Sequence, residues 1–225
     1  PTIEEDKMLN YVMILALEDG LSMPVAISRL VAQSKTFLTQ AGGASILAFG
    51  HAFGAYSAFG NMLLDSVEAG KAAGLSVKDI ADGIVKEHLG SEALGVSDLM
   101  LKDPAAQRMI GRAEKLGVAG PYVELIKAVA QAAQAASDTP VDIDMLGAMG
   151  AVMMDLGFSP EATWAILAVT RSFAAGAHYI EEVERGGFQK MGQALTPKEW
   201  YDGPEDRAVP PLADRDNHAQ SALCK

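Results

Sequence analysis

The chain has 225 residues, 49% hydrophobic and 21% charged, which is enough to bury one large core or two small ones. Its formal net charge of −11 argues against binding to nucleic acid or to an anionic membrane surface, because both require clustered lysine and arginine. The single cysteine, Cys224, allows neither an intramolecular disulfide nor a cysteine-based metal site, which fits a cytoplasmic protein.

Apolar residues recur at helical spacing along nearly the whole chain, and alternating β-branched runs that would indicate strands are absent. We therefore predict an all-α protein. Gly74, Gly117 and Gly157 are expected to end helices, and Ser22, Ser76 and Ser159 to begin them. Residues 89–102 are predicted to form a loop, and the chain from residue 186 onward an extended surface tail. The predicted helical segments are 9–16, 25–31, 42–60, 61–73, 76–86, 103–116, 122–136, 141–156 and 161–184.

Residues 42–60 combine small side chains with aromatic ones and predict a buried helix, or two helices joined at Gly50. Each glycine inside a helix costs about 1 kcal/mol relative to alanine, so close packing or a ligand is expected to offset the loss. His51 lies in this segment, close to Gly50 and Gly54. It is either a core histidine bonded to a backbone carbonyl or a functional histidine that points into a cleft.

Several common catalytic and metal-binding signatures are missing from the sequence. It contains no zinc-type histidine spacing, no Gly-Lys-Ser/Thr phosphate loop and no Gly-x-Ser-x-Gly elbow. No run approaches the roughly 20 apolar residues of a membrane span, and the first residues lack the pattern of a signal peptide. We therefore expect no metal site and no membrane association.

Asp144 precedes a long apolar segment that ends at Leu156. An aspartate at this place is often a partner of the helix dipole in the first turn. The alternative is a general base whose carboxylate is buried near a substrate.

Arg171 and His178 are seven residues apart in a predicted helix, which places them on one face about two turns from each other. An arginine in an apolar helix usually pairs with a carboxylate, which belongs either to the protein or to a substrate. We interpret the acidic residues that follow, Glu181, Glu182 and Glu184, as a solvated face.

At this helix the sequence resembles the citrate synthase superfamily, and citryl-CoA lyase-like members most closely. The family's Arg-(Thr/Ser)-(Val/Met)-Gly-x-Ile-(Ala/Gly)-His run is similar to residues 171–178, and its Tyr-x-Gly-Pro tail is similar to residues 201–204. Further segments resemble family motifs in the same order, namely residues 18–20 with Pro24, Arg29 and Leu30, then 50–55, 103–107, 140–145 and 156–160.

The resemblance implies a citrate synthase-like helical fold with a large domain, residues 1–65 and 160–225, and a smaller domain, residues 66–159. It also implies a homodimer that makes or breaks the bond between an acyl-CoA enol carbon and a keto-acid carbonyl. No permanently bound cofactor is expected, since the CoA thioester is the substrate or ligand. In this chemistry Asp144 moves the α-proton, His51 or His88 serves as a hydrogen-bond donor, and Arg171 and His178 bind the substrate.

Four positions depart from the family's site motifs: Val96, Asp19 and Phe53 stand where histidines are expected, and Ala105 where an arginine is expected. These replacements remove hydrogen-bond donors and positive charge. One hypothesis is therefore an enzyme that acts on an altered acyl-CoA with fewer carboxylates. The other is a catalytically degenerate homologue that serves as a CoA-ester-binding or scaffold subunit.

Overall fold

A computed structural model describes residues 1–17, 22–48, 51–91, 93–98 and 104–186, without the side chains of residues 51–56, 98, 185 and 186. The described part of the chain is almost entirely helical, which confirms the predicted all-α fold class. A short π-helical turn, Glu182–Gly186, follows the last helix. The elements in chain order are α1 (Ile3–Leu17), α2 (Met23–Gln33), α3 (Leu38–Leu47), α4 (His51–Ala73), α5 (Val77–His88), β1 (Val96–Asp98), α6 (Pro104–Leu116), α7 (Pro121–Ala135), β2 (Val141–Ile143), α8 (Met145–Asp155) and α9 (Pro160–Glu181).

Local sequence signals set the helix ends. Ser159 caps α9, since its Oγ accepts a hydrogen bond from the backbone N–H of Ala162 at 3.1 Å. Ser76 caps α5 in the same way and forms a capping box with Asp79. Ser22 occupies the N-cap position of α2, but its side chain makes no capping hydrogen bond. The helix-ending glycines predicted at 74, 117 and 157 all have positive φ.

Helix α8 is the buried centre of the fold. All eight residues from Gly147 to Met154 are buried, as expected for a helix that is apolar on every side. Helices α4, α6, α7 and α9 pack around it, and α1 and α5 complete one continuous apolar core. Helices α2 and α3 pack on α9 instead.

Two short strands depart from the predicted pattern. Residues 141–156 do not form a single helix, because Val141–Ile143 is a strand paired antiparallel with Val96–Asp98 from the predicted loop. Val96 lies opposite Ile143, and both are buried. Three residues are too few to produce a detectable alternation, so burial of these two side chains decides the pairing.

Close packing accounts for part of the glycine content in the 42–60 segment. A Cβ on Gly60 would lie 2.6 Å from the ring of Pro160, so α4 and α9 approach each other here. A Cβ on Gly42 or on Gly43, in contrast, would have no neighbouring atom within 4 Å. The predicted junction at Gly50 and the predicted C-terminal tail lie outside the described residues.

The division into a large and a small domain stays a prediction. None of the helices in the described ranges is both long and apolar enough to cross a membrane.

Candidate functional site

Asp144 is the N-cap of the central helix α8. Its Oδ1 accepts a hydrogen bond from the backbone N–H of Gly147 at 2.9 Å, and its side chain is half-buried. Such a cap stabilises the helix by about 1 kcal/mol, and the helix N-terminus favours negative charge. The dipole-partner interpretation is therefore correct as far as the cap is concerned.

The residues that precede and form β1 lie directly beside Asp144. The backbone N–H of Asp144 donates to the carbonyl oxygen of Gly95 at 3.2 Å, which extends the ladder in which Val96 lies opposite Ile143. Val96 is only 7% exposed. The structure therefore brings Asp144 together with the segment in which the family resemblance implies a histidine, and an apolar residue occupies that position.

A polar contact from α6 anchors the strand that leads to Asp144. The side-chain amide of Gln107 donates to Asp142 Oδ1 at 2.8 Å, and the backbone N–H of Ile143 donates to the same oxygen at 2.8 Å. Sequence reasoning missed this contact. The position of Gln107 in the motif at residues 103–107 was the available signal, but its partner is 35 residues away.

Arg171 and His178 both lie on the continuous helix α9, as predicted. Arg171 is half-buried, and the His178 side chain is 13% exposed. The Nη2 of Arg29 lies 3.1 Å from Nδ1 of His178. Since a guanidinium group has only donors, Nδ1 must be the acceptor, which places the proton of a neutral imidazole on Nε2.

Arg29 connects α2 to the end of α9 through two carboxylates. It forms ion pairs with Glu181 and with Glu182, the latter at 3.3 Å, and Gln33 donates to Glu182 Oε1 at 3.1 Å. Glu182 is only 9% exposed. The interpretation of Glu182 as part of a solvated face was therefore wrong. The reason is that Arg29, 153 residues earlier, supplies the charge that allows this carboxylate to be buried.

His51 begins α4, but its side chain is outside the described set, as is that of Phe53. Asp19 lies in the undescribed segment 18–21. Ala105 is half-buried in the first turn of α6. The roles predicted for His51, Asp144, Arg171 and His178 in catalysis and substrate binding stay predictions.

A surface groove of about 650 Å³ lies between α5 and α7 and contains none of the predicted site residues. Three of its charged side chains have partners, since Lys127 bonds to Glu114 at 2.5 Å and Lys78 bonds to Asp82 at 2.6 Å. Within the described ranges, no three histidine, cysteine, aspartate or glutamate residues are grouped so that they could hold a metal ion.

Two solved structures have a helical fold similar to that of this chain. Citryl-CoA lyase from Hydrogenobacter thermophilus has a TM-score of 0.73 and 22% identity, covering 93% of this chain and 81% of its own. A mutant ATP citrate lyase from Methanosaeta concilii, in complex with (3S)-citryl-CoA, has a TM-score of 0.58 and 16% identity. That similarity covers 93% of this chain and 35% of the longer lyase.

No known family model and no curated protein matches the sequence. The structural similarity establishes that the chain has the helical, citrate synthase-like fold of citryl-CoA lyase. The resemblance predicted from the sequence motifs is thereby confirmed at the level of the fold.

Proposed function

We propose that this protein is a citryl-CoA lyase-like enzyme that cleaves or forms a carbon–carbon bond between an acyl-CoA and a keto-acid unit. The observation that carries the proposal is the position of Asp144. Its carboxylate lies at the N-terminus of the buried helix α8, beside β1, in a chain with the fold of citryl-CoA lyase.

Asp144 is the base in the direction of bond formation. It accepts the α-proton of the acyl-CoA, and the electron pair of that C–H bond moves toward the thioester oxygen. The nucleophilic carbon of the resulting enolate attacks the keto carbonyl, and the new alkoxide oxygen takes a proton from water. In the direction of cleavage, the hydroxyl group gives its proton to water as the carbon–carbon bond breaks, and the protonated Asp144 returns its proton to the enolate carbon.

The remaining predicted residues have supporting roles in this proposal. Arg171 holds a substrate carboxylate, His178 binds the substrate from the same helix, and His51 supplies a hydrogen-bond donor. The CoA thioester is the substrate, and no permanently bound cofactor takes part.

Val96 favours a substrate different from citryl-CoA. It lies opposite Ile143, the residue before Asp144, and its apolar side chain supplies no hydrogen-bond donor where the resemblance implies a histidine. Ala105, which stands where the resemblance implies an arginine, also removes a positive charge, so we expect an acyl-CoA with fewer carboxylates than citryl-CoA.

Turnover of acyl-CoAs by two aspartate variants tests the proposal. Citryl-CoA and a small panel of other acyl-CoAs are incubated with the protein, and the products are identified by mass spectrometry. Asp144→Asn keeps the oxygen that caps α8 but is no longer a base, so we expect normal stability and a loss of turnover of at least about a hundredfold. Asp142→Asn is the matched control, because its amide oxygen still accepts from Gln107 and turnover is retained.

Unchanged turnover in Asp144→Asn would remove Asp144 from the mechanism. If every thioester remains intact with the wild-type protein, the lyase proposal fails and a second candidate function is favoured. That candidate is a catalytically degenerate homologue that binds a CoA ester or serves as a scaffold subunit, which the apolar Val96 beside Asp144 also favours. Calorimetric titration with the same thioesters then shows whether one of them binds without reacting.

We also propose that the chain forms a homodimer through an exposed surface of α9. Val169, Phe173 and Ile180 are 56%, 68% and 47% exposed, and their spacing places them on one side of the helix. We call these three residues the α9 apolar face.

A cytoplasmic location and the absence of nucleic-acid binding, expected from the single cysteine and the net charge of −11, remain parts of the proposal.

A further inference from the structure

The ring of Phe59 is wedged between two glycines from different segments. Phe59 lies on α4 and is completely buried. A Cβ on Gly95 would be 2.5 Å from its Cε2 atom, and a Cβ on Gly150 would lie closer still to its Cε1 atom. Neither position therefore has room for a side chain while the ring is in place. Phe59 fixes how closely α4 approaches both the start of β1 and helix α8.

The same two segments hold Asp144 in place. The carbonyl oxygen of Gly95 accepts the hydrogen bond from the backbone N–H of Asp144 at 3.2 Å. Gly147, whose backbone N–H donates to the Asp144 carboxylate, packs so tightly on Gly95 that a Cβ there would overlap the Gly95 carbonyl oxygen. Any movement of Gly95 or α8 relative to Phe59 therefore also moves Asp144.

Helix α4 connects this contact to a second predicted site residue. His51, its first residue, precedes Phe59 by eight positions, which corresponds to about 12 Å along a helix axis. The packing of Phe59 therefore sets the position of the helix that carries His51 relative to the helix that Asp144 caps.

We propose that Phe59 is a positioning residue that fixes Asp144 relative to α4. The link to catalysis rests on the function proposed above, whereas the positioning itself does not. In this arrangement the two glycines are required at 95 and 150 because the ring occupies the space of their side chains.

The proposal is tested by one variant that introduces a steric clash with Phe59 and by a second variant that removes the clash. Gly150→Ala forces α8 away from the ring, so we expect the amide of Asp144 to exchange its hydrogen about tenfold faster relative to amides in the core of α7. Phe59→Leu combined with Gly150→Ala makes room for the new methyl group, and we expect it to restore most of the protection. NMR-detected hydrogen exchange of the full chain measures both effects.

Gly60→Ala is the control for general loosening. Its new methyl group would meet Pro160 on α9, so it disturbs the contact of α4 with α9 rather than the contacts of Phe59 with Gly95 and Gly150. We expect it to lower global stability without selectively raising the exchange rate of the Asp144 amide. The positioning role is overturned if Gly150→Ala leaves the exchange rate of the Asp144 amide unchanged, or if the double variant does not restore its protection. It is also overturned if Gly60→Ala raises this exchange rate as much as Gly150→Ala does.

The catalytic consequence is measured separately. With an acyl-CoA that the wild-type protein turns over, Gly150→Ala is expected to lower kcat about tenfold or more with little change in KM, and the double variant to recover. Unchanged kcat would refute the catalytic consequence. Absence of wild-type turnover would refute the proposed function, while the exchange experiment would still decide whether Phe59 positions Asp144.

Discussion

At the scale of single residues, Asp155 caps a helix other than its own. It is the last residue of α8, and its oxygens accept hydrogen bonds from the backbone N–H groups of Gly120, Tyr122 and Val123 at 2.7, 3.0 and 3.0 Å. These groups form the N-terminus of α7, where no partner exists within the helix. Gly120 is required here, because a Cβ would lie 2.7 Å from Asp155 Oδ1.

Asp155→Ala is expected to lower the free energy of unfolding by about 2–4 kcal/mol, because it leaves three backbone donors of α7 without their acceptor. Urea denaturation followed by circular dichroism measures the change. Asp82→Ala is the control, since Asp82 forms an exposed ion pair with Lys78 and its loss is expected to cost less than about 1 kcal/mol. Equal losses in the two variants would contradict a special role for Asp155.

The charge of Asp155 predicts a dependence of stability on pH. Burial raises the pKa of the Asp155 carboxyl, and hydrogen bonds from Tyr122, Val123 and Gly120 oppose the shift without cancelling it. The folded state therefore binds this proton more tightly than the unfolded state does. The resulting stability is fully present below the ordinary aspartate pKa of about 4 and is lost as the pH rises through the raised value.

Asp155→Asn cannot titrate at this position, so we expect it to remove this part of the pH dependence. The unfolding free energies of the wild type and the variant, measured from acidic to neutral pH, give the comparison. The difference between them should change in favour of the variant as the pH rises. A constant difference over this range would show that Asp155 has the same pKa in the folded and unfolded states.

At the scale of helices, replacing a glycine by alanine is expected to lower stability at one position of the 42–60 segment and to raise it at another. Gly60→Ala in α4 would meet the rigid ring of Pro160 at 2.6 Å, and overpacking of this kind costs about 1–3 kcal/mol. Gly43→Ala in α3 meets no atom within 4 Å, so we expect a gain of up to about 1 kcal/mol from helix propensity. Thermal denaturation of the two variants measures both effects, and a loss in Gly43→Ala would contradict the open surroundings of that position.

Helix positions and ends follow from local sequence, so most of the fold was predictable. Ser76 and Ser159 each accept a hydrogen bond from a backbone group three residues away, and Gly117 needs no partner to adopt its positive φ. The strand at Val141–Ile143 was not predictable in this way. Its conformation depends on Val96, which lies more than forty residues earlier in the chain.

At the scale of the whole molecule, the α9 apolar face predicts an assembly. Exposed apolar side chains that form a contiguous strip on one helix are typical of an interaction surface. Phe173→Glu introduces a charge at the most exposed of the three positions, so we expect the protein to become monomeric while it remains folded. Size-exclusion chromatography with light scattering measures the mass.

Leu75→Glu is the matched control for the assembly experiment. Leu75 is 49% exposed but lies between α4 and α5, away from α9. We expect this variant to have the mass of the wild-type protein. A monomeric wild-type protein would contradict the proposed homodimer. A dimeric Phe173→Glu variant would show that the interface does not include the α9 apolar face.

Local sequence patterns predict the helical class, the ends of several helices and the ordered motifs of a citrate synthase-like fold, because each pattern involves residues only a few positions apart. The sequence also indicates Asp144, Arg171 and His178 as candidate site residues and predicts the helix that carries the last two. The burial of Glu182 beside Arg29 and the need for glycine at 95 and 150 around Phe59 depend instead on how the chain folds. These contacts join segments far apart in the chain, and packing and charge balance across such distances have no signature in a local pattern.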